Sequence, residues 1–188
     1  MTIPEYLQLR AFARIDGLKL FLLWLASFAC YMAGLRSPGI GMVGMLLAVL
    51  TPFMTYRMVR RFRDNALDGT ISFGRAWVYV FFVFFYASLL FAVAQFVYFA
   101  LLDNGFFTDS MSSMLSQPET ATMMKQMGMD KQQIEEAIQA LASARPIDLS
   151  LNILFSNLFI GLLVGVPVAA FAQRNTPRNQ PIDPNQQP

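Results

Sequence analysis

The chain has 188 residues, 55% of them apolar and 14% charged, with a formal net charge of +2. Soluble domains average about 45–50% apolar and about 25% charged, so an ordinary soluble domain is excluded and blocks of charge between apolar runs mark an integral membrane protein. There is no histidine and a single cysteine, Cys30, which excludes an internal disulfide, a cysteine-based metal site and the commonest general base.

The first apolar run is 18–35, "LKLFLLWLASFACYMAGL". Its core is too long, and "AGLRSPG" too poor a cleavage site, for a signal peptide, so it reads as a retained helix. The second run is 40–59, the third 76–102 and the fourth 149–172. Each reaches the about 20 residues that cross a bilayer, and inside a bilayer each must be helical to pair its own backbone. The third exceeds the minimum and is expected to tilt or protrude. The expected fold is therefore all-α, an integral membrane bundle of four transmembrane helices. Residues 1–174 form the membrane domain, and the Pro-, Asn- and Gln-rich stretch 175–188 reads as a disordered cytoplasmic tail.

Between the second and third runs lies "RMVRRFRDNALDGTISFGRAW", with Arg57, Arg60, Arg61, Arg63 and Arg75. Cytoplasmic flanks collect Lys and Arg. Ten basic residues fall on the N-terminal flank, this island and the tail, against four on the other side, so both termini are expected inside and 103–148 outside. Arg57, Arg60 and Arg61 are spaced i, i+3, i+4 on one helical face. They are candidate contacts for anionic lipid or phosphate. "DGTISFGR" lacks the glycine spacing and Lys-Ser/Thr ending of a nucleotide loop. Asp68-Gly69 reads as a turn and Ser72 as a helix cap.

The outer loop, 103–148, carries seven acids against three bases. Within it Asp130 with Gln133 forms a capping-box variant. Ile134, Ala137, Ile138 and Leu141 follow at helical spacing, and Pro146 stops the run, so one short amphipathic helix is expected there. Met111, Met114, Met123, Met124, Met127 and Met129 read as adaptable apolar packing rather than as Cu(I) ligands.

The expected span cores hold no Asp or Glu, whereas intramembrane chemistry usually relies on ionisable groups. Gln95 and Asn157 come out at equal depth on antiparallel helices and form a candidate polar pair. Gly161 and Gly165 form GxxxG, a close-packing signal.

"RRFRDNALDGTISFGRAW" and "MKQMGMDKQQIEEAIQALASARP" together resemble the signatures of an uncharacterised bacterial membrane family, domain of unknown function 4199. The matching positions are Arg63, Asp64, Gly69, Ile71, Ser72, Phe73, Gly74 and Ala76. The resemblance implies a bacterial four-helix membrane protein, with no activity, cofactor or catalytic residue to carry over. For some members it implies a neighbouring polyprenyl-phosphate sugar transferase.

The expectation is a non-enzymatic, multi-pass inner-membrane protein without cofactor or metal. It would bind membrane lipids and another envelope membrane protein, and no nucleic acid. The alternative is a small transport protein handling a polyprenyl-linked sugar. A polar-lined cavity between the spans would favour transport, and closed packing would favour a scaffold.

Overall fold

The computed structural model describes residues 2–128 and 130–175. Among these no strand occurs, only an isolated antiparallel bridge between Ile71 and Arg174. Four helical stretches are long and apolar enough to cross a membrane: Ile3–Gly34, Gly39–Ala66, Phe73–Leu102 and Pro146–Ala172. The protein is an all-α, multi-pass membrane protein.

Helix α1, Ile3–Gly34, begins fifteen residues before the expected span. Its polar start is helical because Leu9, Ala13, Asp16, Gly17, Leu20 and Trp24 recur on one buried stripe that continues into the apolar part. The second stretch is two helices, α2 (Pro38–Val49) and α3 (Thr51–Ala66). Pro52 has no N–H for the carbonyl four residues earlier, so the helix breaks at Leu50. Helix α4, Phe73–Val97, runs into a π-helical turn, Tyr98–Leu102.

The 103–148 segment holds three helices rather than one: α5 (Phe106–Leu115), α6 (Pro118–Gln126) and α7 (Lys131–Ser143). Helix α7 starts on a complete capping box. Asp130 Oδ1 accepts from the Gln133 N–H at 2.8 Å, and the Asp130 N–H donates to Gln133 Oε1 at 3.0 Å. Helix α5 starts after Gly105, whose φ of +83° favours glycine, and both Asp103 carboxylate oxygens accept from the Phe107 N–H. Pro146 does not end a helix but opens the last one, α8 (Pro146–Ala172), at the position where a missing N–H costs nothing.

Helix α4 lies between α1 and α8, while α2 packs along α1 and α3 reaches across to α8. Helices α1 and α4 run parallel, as the pairs Glu5–Arg75 at one end and Phe28–Tyr98 at the other require. Helices α1 and α2 close tightly because Gly34 and Gly41 meet: a Cβ on Gly34 would sit 2.3 Å from the Gly41 Cα. The core is aromatic, with Phe62 stacked on Tyr79 at 4.4 Å and the Trp24 ring edge-on to Phe84 and Phe91.

Candidate functional site

The five arginines of the island separate into different roles. Arg57, Arg60 and Arg61 are exposed near the end of α3. The Arg60 guanidinium lies 5.8 Å from the Tyr56 ring centroid. Arg63 turns inward and is buried: its Nη1 donates to the Ala172 carbonyl at 3.0 Å and its Nε to Asp64 Oδ1 at 2.7 Å. It thus satisfies a carbonyl at the C-terminus of α8, where positive charge is favourable. Arg75 reaches Glu5 at 3.3 Å, and its Nε and Nη2 are enclosed with no hydrogen-bond partner among the described residues.

The positions that carry the family resemblance cluster around this closure. Gly69 turns with φ +79° and its N–H donates to the Arg63 carbonyl. Ile71 exchanges backbone hydrogen bonds with Arg174 at 2.9 Å in both directions. The Ser72 hydroxyl caps α4, and Ala76 is fully buried. These residues tie the loop after α3 to the end of α8. Their geometry accounts for the signature as a structural clip at the basic end.

Asp16 precedes the first expected span, yet it is 5% exposed inside the bundle. Its Oδ2 accepts from the Tyr79 hydroxyl at 2.5 Å and its Oδ1 from Lys19 Nζ at 2.6 Å. Helices α1, α3 and α4 meet here, since Phe62 covers the Tyr79 ring. The signal that could have found it is the stripe Leu9-Ala13-Asp16-Leu20-Trp24, which continues the buried face of the span into the polar flank. An enclosed ionisable residue in a membrane bundle is a default functional candidate. Here the carboxylate has two partners and joins two helices.

Gln95 and Asn157 are not joined by a hydrogen bond. Gln95 is 2% exposed and its Oε1 has no partner among the described residues. The register explains this. Phe84 faces Gly161, and Val80 faces Gly165. Counting along the antiparallel helices from either contact, Gln95 comes level with Ser150, and Asn157 with Ser88. Gly161 and Gly165 are the notches that set this register: a Cβ on Gly161 would sit 2.6 Å from the Phe84 ring, and one on Gly165 2.9 Å from Trp77 Cδ1. The Trp77 Nε1 donates to the Leu162 carbonyl at 3.3 Å in the same contact.

Asn157 instead lines a lateral groove of about 510 Å³. Met45, Ala48 and Pro52 form one wall, Ile160 and Val164 the other, and Trp24, Phe28, Phe84 and Phe91 the floor. The groove exists because α2 stays with α1 while α8 stays with α4, and the second span packs on the fourth mainly below the bend, through α3. The bend itself is held: Trp24 Nε1 donates to Thr51 Oγ1 at 3.0 Å, and Thr55 Oγ1 donates to the Thr51 carbonyl at 2.8 Å. Ser27 spends its hydroxyl on the Gly44 carbonyl. The lining is thus overwhelmingly apolar, and the half-buried Asn157 carboxamide makes no hydrogen bond to a described residue.

At the opposite end Arg36 lies over the Phe106 ring at 4.4 Å, close to Asp103 and Asp109. Met114, Met123 and Met127 are exposed there and Met111 and Met124 half-buried, whereas Met129 and the tail from 176 onward lie outside the described residues. Among the described residues no cluster of three or more His, Cys, Asp or Glu side chains could hold a metal. No curated protein and no solved structure matches the chain. Residues 16–174 match the family described as a protein of unknown function, DUF4199, and the chain belongs to that family.

Proposed function

We propose that the protein is a non-enzymatic component of a bacterial inner membrane that holds a transmembrane helix of another membrane protein in the groove between α2 and α8. The observation that carries this reading is the Asn157 carboxamide, set without a partner in an apolar groove that opens sideways. An amide facing hydrocarbon is costly. A lipid chain offers it nothing, whereas a neighbouring helix can supply a hydrogen bond worth about 0.6 kcal/mol on average. The groove lacks the polar lining that passage of a sugar or ion requires, so the binding reading is preferred to transport.

A photoreactive residue at position 160, placed in native membranes, tests this. The expected result is a discrete adduct with one other membrane protein, absent from position 89 on the lipid-facing side of α4 and weakened by Asn157→Leu. Labelling of lipid alone, or equal adducts from both positions, would overturn it.

The orientation belongs to the same proposal: both termini and the 57–75 island in the cytoplasm, 103–148 outside. With Cys30 replaced, Ser112→Cys should react with an impermeant thiol reagent on outer-membrane-permeabilised cells and Asn65→Cys should not. The reverse pattern would invert the orientation.

A further inference from the structure

Below the bend the second and fourth spans leave another opening, about 470 Å³, between Pro52, Phe53 and Tyr56 on α3 and Pro167, Val168 and Phe171 on α8. Its walls are apolar, and Phe53 and Phe171 stand exposed at 64% and 79%. On α3 the residues Phe53, Tyr56, Arg57 and Arg60 follow at i, i+3, i+4 and i+7, so one stripe runs from aromatic to cationic. At about 1.5 Å per residue, Arg60 lies roughly 10 Å beyond Phe53 towards the basic end. Arg60 leans back over the Tyr56 ring, which itself lines the opening. Asp64, four residues beyond Arg60, accepts a hydrogen bond from Arg63 Nε.

We propose that this groove and the two arginines above it form a binding site for one anionic glycerophospholipid of the leaflet at the basic end. The acyl chain lies between the two prolines and the phosphate meets Arg57 and Arg60. Charge complementarity selects the occupant. A zwitterionic phosphatidylcholine also offers a phosphate but brings its choline cation beside both guanidinium groups, and a protein helix would set an apolar segment against two cations. The site separates the three arginines that the sequence groups together. Arg61 is turned about 100° from Arg60 and about 40° from Arg57, and of the three it is the furthest round the helix from Phe53 and Tyr56.

The test is lipid retention by the full chain in nanodiscs or detergent, read by native mass spectrometry. The lipids are diacyl phosphatidylglycerol and a phosphatidylcholine of identical chains. The parent should prefer the anionic lipid by about 30-fold, the equivalent of about 1 kcal/mol from each of two arginines at about 1.4 kcal/mol per tenfold. Arg57→Gln with Arg60→Gln should bring the preference near unity. Arg14→Gln with Arg61→Gln, which removes the same charge from exposed positions at the same end, should leave it within about threefold. All four residues are exposed, and retained helicity and monodispersity check that each variant folds. Glycerol phosphate at millimolar concentration should not displace the lipid. Equal binding of the two lipids by the parent, equal losses in the two double variants, or displacement by glycerol phosphate would each overturn the proposal.

Discussion

Asp16 concentrates the chemistry of the bundle in one side chain. It sits just before the middle of its helix, receives the Tyr79 hydroxyl and the Lys19 ammonium, and is almost fully enclosed. A buried hydroxyl left without its acceptor costs about 1–3 kcal/mol. Asp16→Ala should therefore lower the unfolding free energy in detergent by about that amount. Asp16→Asn keeps an oxygen for Tyr79 and should lose clearly less. Equal losses would mean that the charge towards Lys19, not the hydrogen bond to Tyr79, ties α1 to α4. Asp16 was not legible as a core residue because its neighbours Arg14 and Lys19 depress hydropathy over a window. Hydropathy averages over all sides of a helix, whereas burial follows one side. Arg63 was legible in the opposite sense: its position in the family signature marks it, but only the fold reveals that it closes on the Ala172 carbonyl.

Whole elements were read with uneven success, for physical reasons. The four long apolar helices announce themselves by length, and α7 by its capping box, because both are local properties. Helices α5 and α6 are short and their starts rest on single features, Gly105 and Pro118, which read equally well as turns. The depth of a side chain is a relation between elements, and there counting from span ends failed. Helix α8 starts at Pro146, and the glycine notches, not the ends, fix how it slides on α4. That register gives a test. Gly161→Ala drives a methyl into the Phe84 ring, and overpacking of this kind costs about 1–3 kcal/mol. Gly39→Ala, with nothing within 4 Å of the added carbon, should leave stability unchanged or slightly raised. Thermal unfolding of the two variants in one detergent decides it. Equal melting temperatures would show that α4 and α8 do not interlock at Gly161.

At the scale of the molecule, the second and fourth spans pack together towards the basic end and part at the other. The clip from Arg63 and Ile71 to the end of α8 and the crossing of α3 hold that half together, beside the opening at Phe53 and Phe171. The bend at Pro52 lets α2 follow α1 and leave the groove that Asn157 lines. Whether that groove meets hydrocarbon or water separates a partner-binding surface from a transport path. After Asn157→Cys, with Cys30 replaced, a nitroxide label in nanodiscs reports this through collisions with oxygen, which concentrates in hydrocarbon, and with a water-soluble nickel chelate. A membrane-facing groove predicts high oxygen and low chelate accessibility at position 157, matching a label at the lipid-facing position 89. Chelate accessibility at 157 comparable to that at the exposed Ser113 would mean an aqueous cavity, and would contradict the groove as a seat for a membrane helix.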